Sequence, residues 1–214
     1  LRKVVKKIHT GGRPHNTQIS TDGKFAFLSP MGGPNGVTIV DIQAQHEVVG
    51  FIQYSQSVRP SALTADAKIL FQHVDGLNGF EGGDVAGRKV IARIQHSTNL
   101  GWFLPIKRIG YVTFEGLKRC HGLALRPDQQ EIWSTCADNL VIHSVSDQTY
   151  PEIDKLKLKG NGYWLTFSPD SRFAFVALSS KNEIAVFNAQ TKELVKHLSV
   201  GKSPKRNLVF ELKM

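Results

Sequence analysis

Counting seven residues back from each of four similarly placed aspartates, Asp22, Asp66, Asp128 and Asp170, lands on His15, Arg59, His121 and Tyr163. The same phase near the C-terminus lands on Lys205. All five are polar, while the residues two to four places further along are mostly apolar or small. Two imidazoles, two cations and a phenol at one repeat position suit an anionic ligand, a carboxylate or a phosphate, held by charge-assisted hydrogen bonds. A metal is the sharper alternative, since neutral imidazole is a common ligand of zinc or copper. Because His15 and His121 lie two units apart, they are expected to be too distant to share one ion.

Three other groups carry potential chemistry. Cys120 and Cys136 sit at opposite ends of one hairpin. With its turn at about Asp128 to Gln130, Cys136 is expected opposite His121 and diagonal to Cys120, near enough for a disulfide. An exported protein favours that bond and a cytosolic one does not; otherwise both are small buried thiols. Asp75, Glu81 and Asp84 cluster about the glycine-rich DGLNGFEGGD and offer calcium its oxygen ligands, although the spacing is not that of an EF-hand and a solvated loop is the preferred reading. Asp41, Asp84 and Asn188 are expected to cap turns with their side chains.

Much chemistry is absent from the sequence. It contains no CxxC, no CxxCH and no Cys/His spacing of the zinc type, so neither structural zinc nor covalent haem is expected. No GxSxG, HExxH, P-loop or helix-opening GxGxxG occurs, and no catalytic residue is assigned. No apolar run approaches the roughly 18 residues of a membrane-spanning helix.

The elements that position these residues form a repeat. PHNTQISTDGKFAFLS, VRPSALTADAKILFQH, CHGLALRPDQQEIWSTC and GYWLTFSPDSRFAFVAL superpose on their aspartates. Each reads strand, tight turn, strand, with Pro and Asp where a turn needs a preset φ and a self-bonding side chain. Each is followed by a second strand pair, as in VTIVDIQAQHEVVGFI and IAVFNAQTKELVKHL. The aspartates are 44, 62 and 42 residues apart, which selects four-stranded propeller blades with one insertion. Helical periodicity is missing throughout.

The reading is therefore one all-β domain, a β-propeller of four-stranded antiparallel blades. Complete repeats run over about 12–54, 55–96, 117–158 and 159–200, with an insertion at about 97–116 that holds Trp102, Phe103, Lys107, Arg108 and Tyr111. Residues 1–11 match a fourth strand and 201–214 a first strand, so one blade is split and the ring does not close. The chain, beginning at Leu1 without a leader, is expected to belong to a longer six- to eight-bladed ring, most simply a seven-bladed one.

The net charge of +9, from 27 Lys plus Arg against 18 Asp plus Glu, permits an anionic partner. The basic residues bunch at Arg2, Lys3, Lys6, Lys7 and Arg13, at Lys155, Lys157 and Lys159, and at Lys202, Lys205 and Arg206. The period-2 lysines of DKLKLKG read as protection of an exposed sheet edge. No motif for specific nucleic-acid reading accompanies them.

PHNTQISTDGKFAFLSPMGGPNGVTIVDIQAQHEVVGFI and YWLTFSPDSRFAFVALSSKNEIAVFNAQTKELVKHLSVGKSP resemble the YVTN-type β-propeller repeat. Its pattern runs Pro, an apolar position, Ser-Pro-Asp-Gly-Lys, a Tyr-Val-x-Asn-like strand, Val-x-Val-Ile-Asp and Lys-Val-Val-x-x-Ile. The likeness spans nearly the whole chain outside the insertion and is weakest in the second unit, which lacks the Pro before Asp66. It implies a bacterial or archaeal, periplasmic, secreted or cell-surface protein, often seven-bladed, near the propellers of cytochrome d1 nitrite reductase and quinohaemoprotein amine dehydrogenase. In such repeats a Pro-His at this point also has a purely structural use, its imidazole bonding a neighbouring blade.

The resulting expectation is a non-catalytic scaffold of the bacterial envelope, with no cofactor, that binds a protein or a small anionic ligand at the rim holding His15, Arg59, His121, Tyr163 and Lys205. The first alternative is an envelope oxidoreductase or accessory propeller with a non-covalent haem- or quinone-type cofactor. The second is a lactonase-like, calcium-dependent hydrolase, which the ring disfavours because it has no carboxylate.

Overall fold

A computed structural model describes residues 3–97 and 120–210. They form sixteen strands in four antiparallel sheets of four, each in chain order. The first sheet holds β1 (Arg13–Ile19), β2 (Phe25–Met31), β3 (Gly36–Asp41) and β4 (Glu47–Gln53). The second holds β5 (Val58–Leu63), β6 (Ile69–Val74), β7 (Gly79–Asp84) and β8 (Lys89–Gln95). β9 (Cys120–Leu125), β10 (Glu131–Cys136), β11 (Asn139–Ser144) and β12 (Glu152–Lys157) make the third. β13 (Gly162–Phe167), β14 (Phe173–Leu178), β15 (Glu183–Asn188) and β16 (Leu194–Ser199) make the fourth. The expected insertion falls almost wholly outside the described residues. The described parts of the two terminal segments, 3–11 and 201–210, are not paired in a strand.

The first turn of each sheet is built the same way. Asp22, Asp66 and Asp170 each accept a bond from the hydroxyl two residues before and from the amide two residues after. Asp128 does the same with the Arg126 guanidinium in place of a hydroxyl. The next residue adopts positive φ: Gly23 at 72°, Ala67 at 56°, Gln129 at 62° and Ser171 at 61°. Only the first unit supplies glycine there, so in the others the aspartate's bonds hold a side-chain-bearing residue in the left-handed region.

Those bonds favour the ionised carboxylate. The Ser168 hydroxyl, the Arg172 amide and the Arg172 side chain hold Asp170 at about 2 against an ordinary 3.8, and Asp22 and Asp66 are lowered for the same kind of reason. A carboxyl lowered on folding contributes stability that is fully present above its unfolded pKa and lost as pH falls through the folded one. Denaturant midpoints are thus expected to drop from pH 4 toward pH 2, and an Asp170→Asn chain to show a shallower drop. Equal slopes in the two chains would remove the turn from the account.

Period 2 decides which blades share a core. Successive side chains of a strand point to opposite faces, so in β6 Leu70 packs with Phe27, Ile52 and Tyr54 of the first blade, whereas Phe71 packs with Leu123, Ile132 and Tyr150 of the third. In β10 Ile132 faces back to the second blade, and Trp133 faces forward to Leu165, Phe167 and Val176 of the fourth. The three cores between blades are thus sheet-on-sheet contacts built from alternate residues. The outer strands β4, β8, β12 and β16 leave Val48, Ile91, Ile153 and Val195 half exposed.

The first strands meet one another in series, β1 against β5, β5 against β9 and β9 against β13. They enclose a cavity of about 330 Å³ lined by Gln18, Ser61, Leu123, Trp164 and Leu165, with Asn207 and Leu208 of the C-terminal segment. That segment touches both flanking sheets, since Arg206 donates to the His15 carbonyl at 2.7 Å and Asn207 to the Phe175 carbonyl at 2.9 Å.

Candidate functional site

Every inner strand carries a β-bulge at one level. The pairing of β1 with β2 skips His15 between Pro14 and Asn16. In β5, Arg59 and Pro60 together face one residue of β6, between Val58 and Ser61. His121 is the extra residue between Cys120 and Gly122, and Tyr163 the extra residue between Gly162 and Trp164. A bulge re-aims the side chain it carries. The four positions found seven residues before the turn aspartates are therefore the four that leave the regular alternation of their strands.

The bulges bring these side chains together. The His15 and His121 rings meet edge to face with centroids 5.8 Å apart. The expected separation of the two imidazoles is thus corrected: each is the extra residue of a bulge, and the two rings meet. His121 stacks on Tyr163 at 3.7 Å and lies 6.1 Å from Trp164. Lys205 Nζ is 5.7 Å from the Tyr163 ring and the Arg206 guanidinium 4.8 Å from Trp164. Arg59 binds Asp75 through Nε at 2.6 Å and Met31 Sδ through a terminal nitrogen at 3.3 Å.

Electrostatics make this rim a cluster of cations around neutral imidazoles. Burial, then the His15 ring and the nearby Arg59 and Arg206, push His121 down to about 4, against the opposing bond to the Tyr163 backbone. Burial, Arg206 and Arg59 likewise lower His15. A carbonyl oxygen only accepts, so the 3.0 Å contact between His121 Nδ1 and Tyr163 O places the proton on Nδ1 and leaves Nε2 with a free lone pair. His15 Nδ1 is buried and has no hydrogen-bond partner among the described residues. Trp164 and Arg206 were not among the expected rim residues. Both sit one place after an expected one, and seven-residue counting admits one residue per strand.

The acidic cluster does not come together. Asp75 pairs with Arg59, Glu81 with Arg93 and the Ser55 amide, and Asp84 accepts the Gly87 amide of its own turn. The preferred solvated-loop reading is corrected here, since Glu81 is 1% exposed within β7, and the three carboxylates each have a different partner. Asp41 and Asn188 each accept two turn amides, as capping requires.

Beneath the rim lies a second cluster. Cys120 and Cys136 are bonded, with Sγ atoms 1.96 Å apart. They face each other directly in the register, where Cys136 was expected opposite His121; the bulge shifts the pairing by one. His73, His96, Cys120 and Cys136, all buried, each offer a ligand atom within 4.8 Å of the others, and so do His96, His143 and Glu152. Sequence spacing gave no sign of this, since the four residues come from β6, the segment after β8, β9 and β10.

No protein-family model matches the chain, and no curated protein does. Solved structures do. Kuenenia stuttgartiensis hydrazine synthase aligns with a TM-score of 0.71 at 16% identity, over 92% of this chain and 51% of that one. The Cps50 (Swd1) β-propeller domain of Myceliophteria thermophila aligns at 0.70 and 12%, over 94% and 59%. This chain is a β-propeller. The dihydro-heme d1 dehydrogenase NirN in complex with DHE gives 0.66 and 13%, over 88% and 37%. The chain thus spans between about a third and three fifths of these propeller chains, and at such identities the likeness concerns the fold alone.

Proposed function

We propose that this propeller is a non-catalytic binding scaffold of the bacterial envelope whose rim takes a small anion, a carboxylate or a phosphate. The observation that carries the reading is the level ring of bulges, which presents His15, Arg59, His121 and Tyr163 together with Lys205 and Arg206. Bulges are kept where a side chain must be re-aimed, and Lys205 and Arg206, with Arg59 already held by Asp75 through Nε, stabilise a bound negative charge. The Cys120–Cys136 bond supports an oxidising compartment. The recurrent turn Asp and the Ser-Pro-Asp of the fourth unit support a YVTN-type origin of the repeat.

Calorimetric titration with inorganic phosphate and with succinate tests this reading. Hydrogen bonds to charged groups contribute about 1.5–3 kcal/mol, so Arg206→Ala is expected to weaken binding by roughly 10- to 100-fold, with the loss shrinking as salt rises. Binding unchanged by Arg206→Ala and by Arg59→Ala would move the site elsewhere.

A second reading rests on the His121 Nε2 lone pair and on the similarity in fold to the dihydro-heme d1 dehydrogenase NirN. In it the rim would hold a tetrapyrrole, and His121 would supply a nitrogen to its iron. Adding haem to the purified chain then produces a visible band that His121→Ala removes.

A further inference from the structure

The buried cluster below the rim has a hydrogen-bond order that can be traced from one end. His143 Nδ1 lies 2.7 Å from the Tyr150 carbonyl, which only accepts, so that nitrogen carries the proton. His143 Nε2 then accepts from His96 Nδ1 at 2.9 Å. This leaves His96 Nε2 as a lone pair, to which the Ser134 hydroxyl donates at 2.9 Å. Having given its one proton there, Ser134 Oγ accepts from His73 Nε2, also at 2.9 Å. The chain ends on His73 Nδ1, a lone pair in a side chain 1% exposed, with no well-formed hydrogen bond among the described residues. The nearby His121 backbone acts on this ring in the opposite sense to burial, which is the larger effect. Burial lowers His73, His96 and His143, in keeping with neutral rings throughout.

Both His73 and His96 thus have one nitrogen held by a donated proton and the other free of one. That is how a metal-ligating histidine is oriented, with its second nitrogen donating to a fixed partner. One nitrogen of each ring and the two sulfurs make a set of four atoms mutually within 4.8 Å. Ser134 Oγ lies 2.9 Å from His73 Nε2 and from His96 Nε2 and 3.3 Å from Cys136 Sγ.

We propose that His73, His96, Cys120 and Cys136 form a redox-gated site for a divalent metal of the zinc class: the chain carries a disulfide when oxidised and binds the metal when reduced. In the first step a dithiol gives two electrons and two protons, the Cys120–Cys136 bond breaks, two thiols form, and the dithiol closes to its own disulfide. In the second the metal ion displaces both thiol protons to water and takes two thiolates and two neutral imidazoles, as in tetrahedral Cys₂His₂ sites. A doubly charged ion with two thiolates has no net charge, so the assembled centre suits a buried place where an unpaired ion does not. Ser134 has only to release His96 Nε2.

The test is cobalt(II) titration of the whole chain, once as the disulfide form and once after dithiol reduction and anaerobic removal of the reductant. The reduced chain is expected to bind one ion with the intense visible bands of tetrahedral thiolate coordination, and zinc to bleach them. The disulfide form is expected to show none. His73→Gln and Cys136→Ser are each expected to weaken binding at least tenfold, and Ser134→Ala, which removes the acceptor that orients His73, to weaken it less than either. The proposal fails if the reduced chain takes up no more cobalt than Cys136→Ser, or if its spectrum lacks the thiolate bands. It also fails if reduction abolishes the β-sheet circular dichroism and metal does not restore it. Should His73→Gln not fold, Cys120→Ser and the spectrum of the reduced wild-type chain still decide the matter.

Discussion

Glu131→Ala is expected to lower stability by about 3–5 kcal/mol, the cost of leaving a buried charge without its partner. Glu131 accepts from three directions. Arg126 reaches it at 2.9 Å, Lys192 at 2.6 Å and the Trp133 indole at 2.8 Å. Arg126 is 5% exposed and also donates to the Ala189 carbonyl of the fourth blade, while Lys192 comes from the β15–β16 turn of that same blade. Removing the carboxylate therefore leaves Lys192 without its ion-pair partner and the Trp133 indole N–H without its acceptor at the contact between the third and fourth blades, while Arg126 keeps Asp128. Glu131→Gln keeps an acceptor and is expected to cost less than the alanine. Urea unfolding of both variants checks this, and a loss under about 1 kcal/mol for the alanine would mean that solvent reaches the network.

Phe71→Ala is expected to cost a similar ~3–5 kcal/mol, through lost transfer energy and the cavity left behind. The ring is fully buried and meets Phe80 at 5.8 Å and Tyr150 at 5.3 Å, both edge to face. Tyr150 belongs to the third blade, so the change loosens the seam between the second and third blades. Phe71→Leu fills much of the volume and is expected to keep most of the stability. The order Phe, Leu, Ala in denaturant midpoint is the measurable outcome; equal midpoints for Leu and Ala would mean that ring geometry rather than volume holds the seam.

The fold was legible because its signals are local. Strand alternation, a turn aspartate with partners two residues to either side, and a period of 42 to 44 residues at two of the three intervals between units are all statements about neighbours in the chain, and the sheets follow that order without a crossover. Counting from the turn also reached His15, Arg59, His121 and Tyr163, since each hairpin has the same length. The reason those residues converge was not legible. A bulge is a mismatch between two strands, visible only once both are paired, and missing it placed Cys136 opposite His121 and set His15 and His121 too far apart.

By itself, then, the sequence determined the all-β architecture, the turns, the alternating faces that make the cores between blades, and the inner-strand positions His15, Arg59, His121 and Tyr163 at which the bulges fall. Tertiary structure alone decided which distant residues meet: Arg206 against Trp164 and the His15 carbonyl, and His73, His96, Cys120 and Cys136 around Ser134. The physical reason is one of range. Turn chemistry and side-chain alternation act over two to five residues, whereas ligand geometry depends on how separately folded sheets stack, which no spacing along the chain encodes.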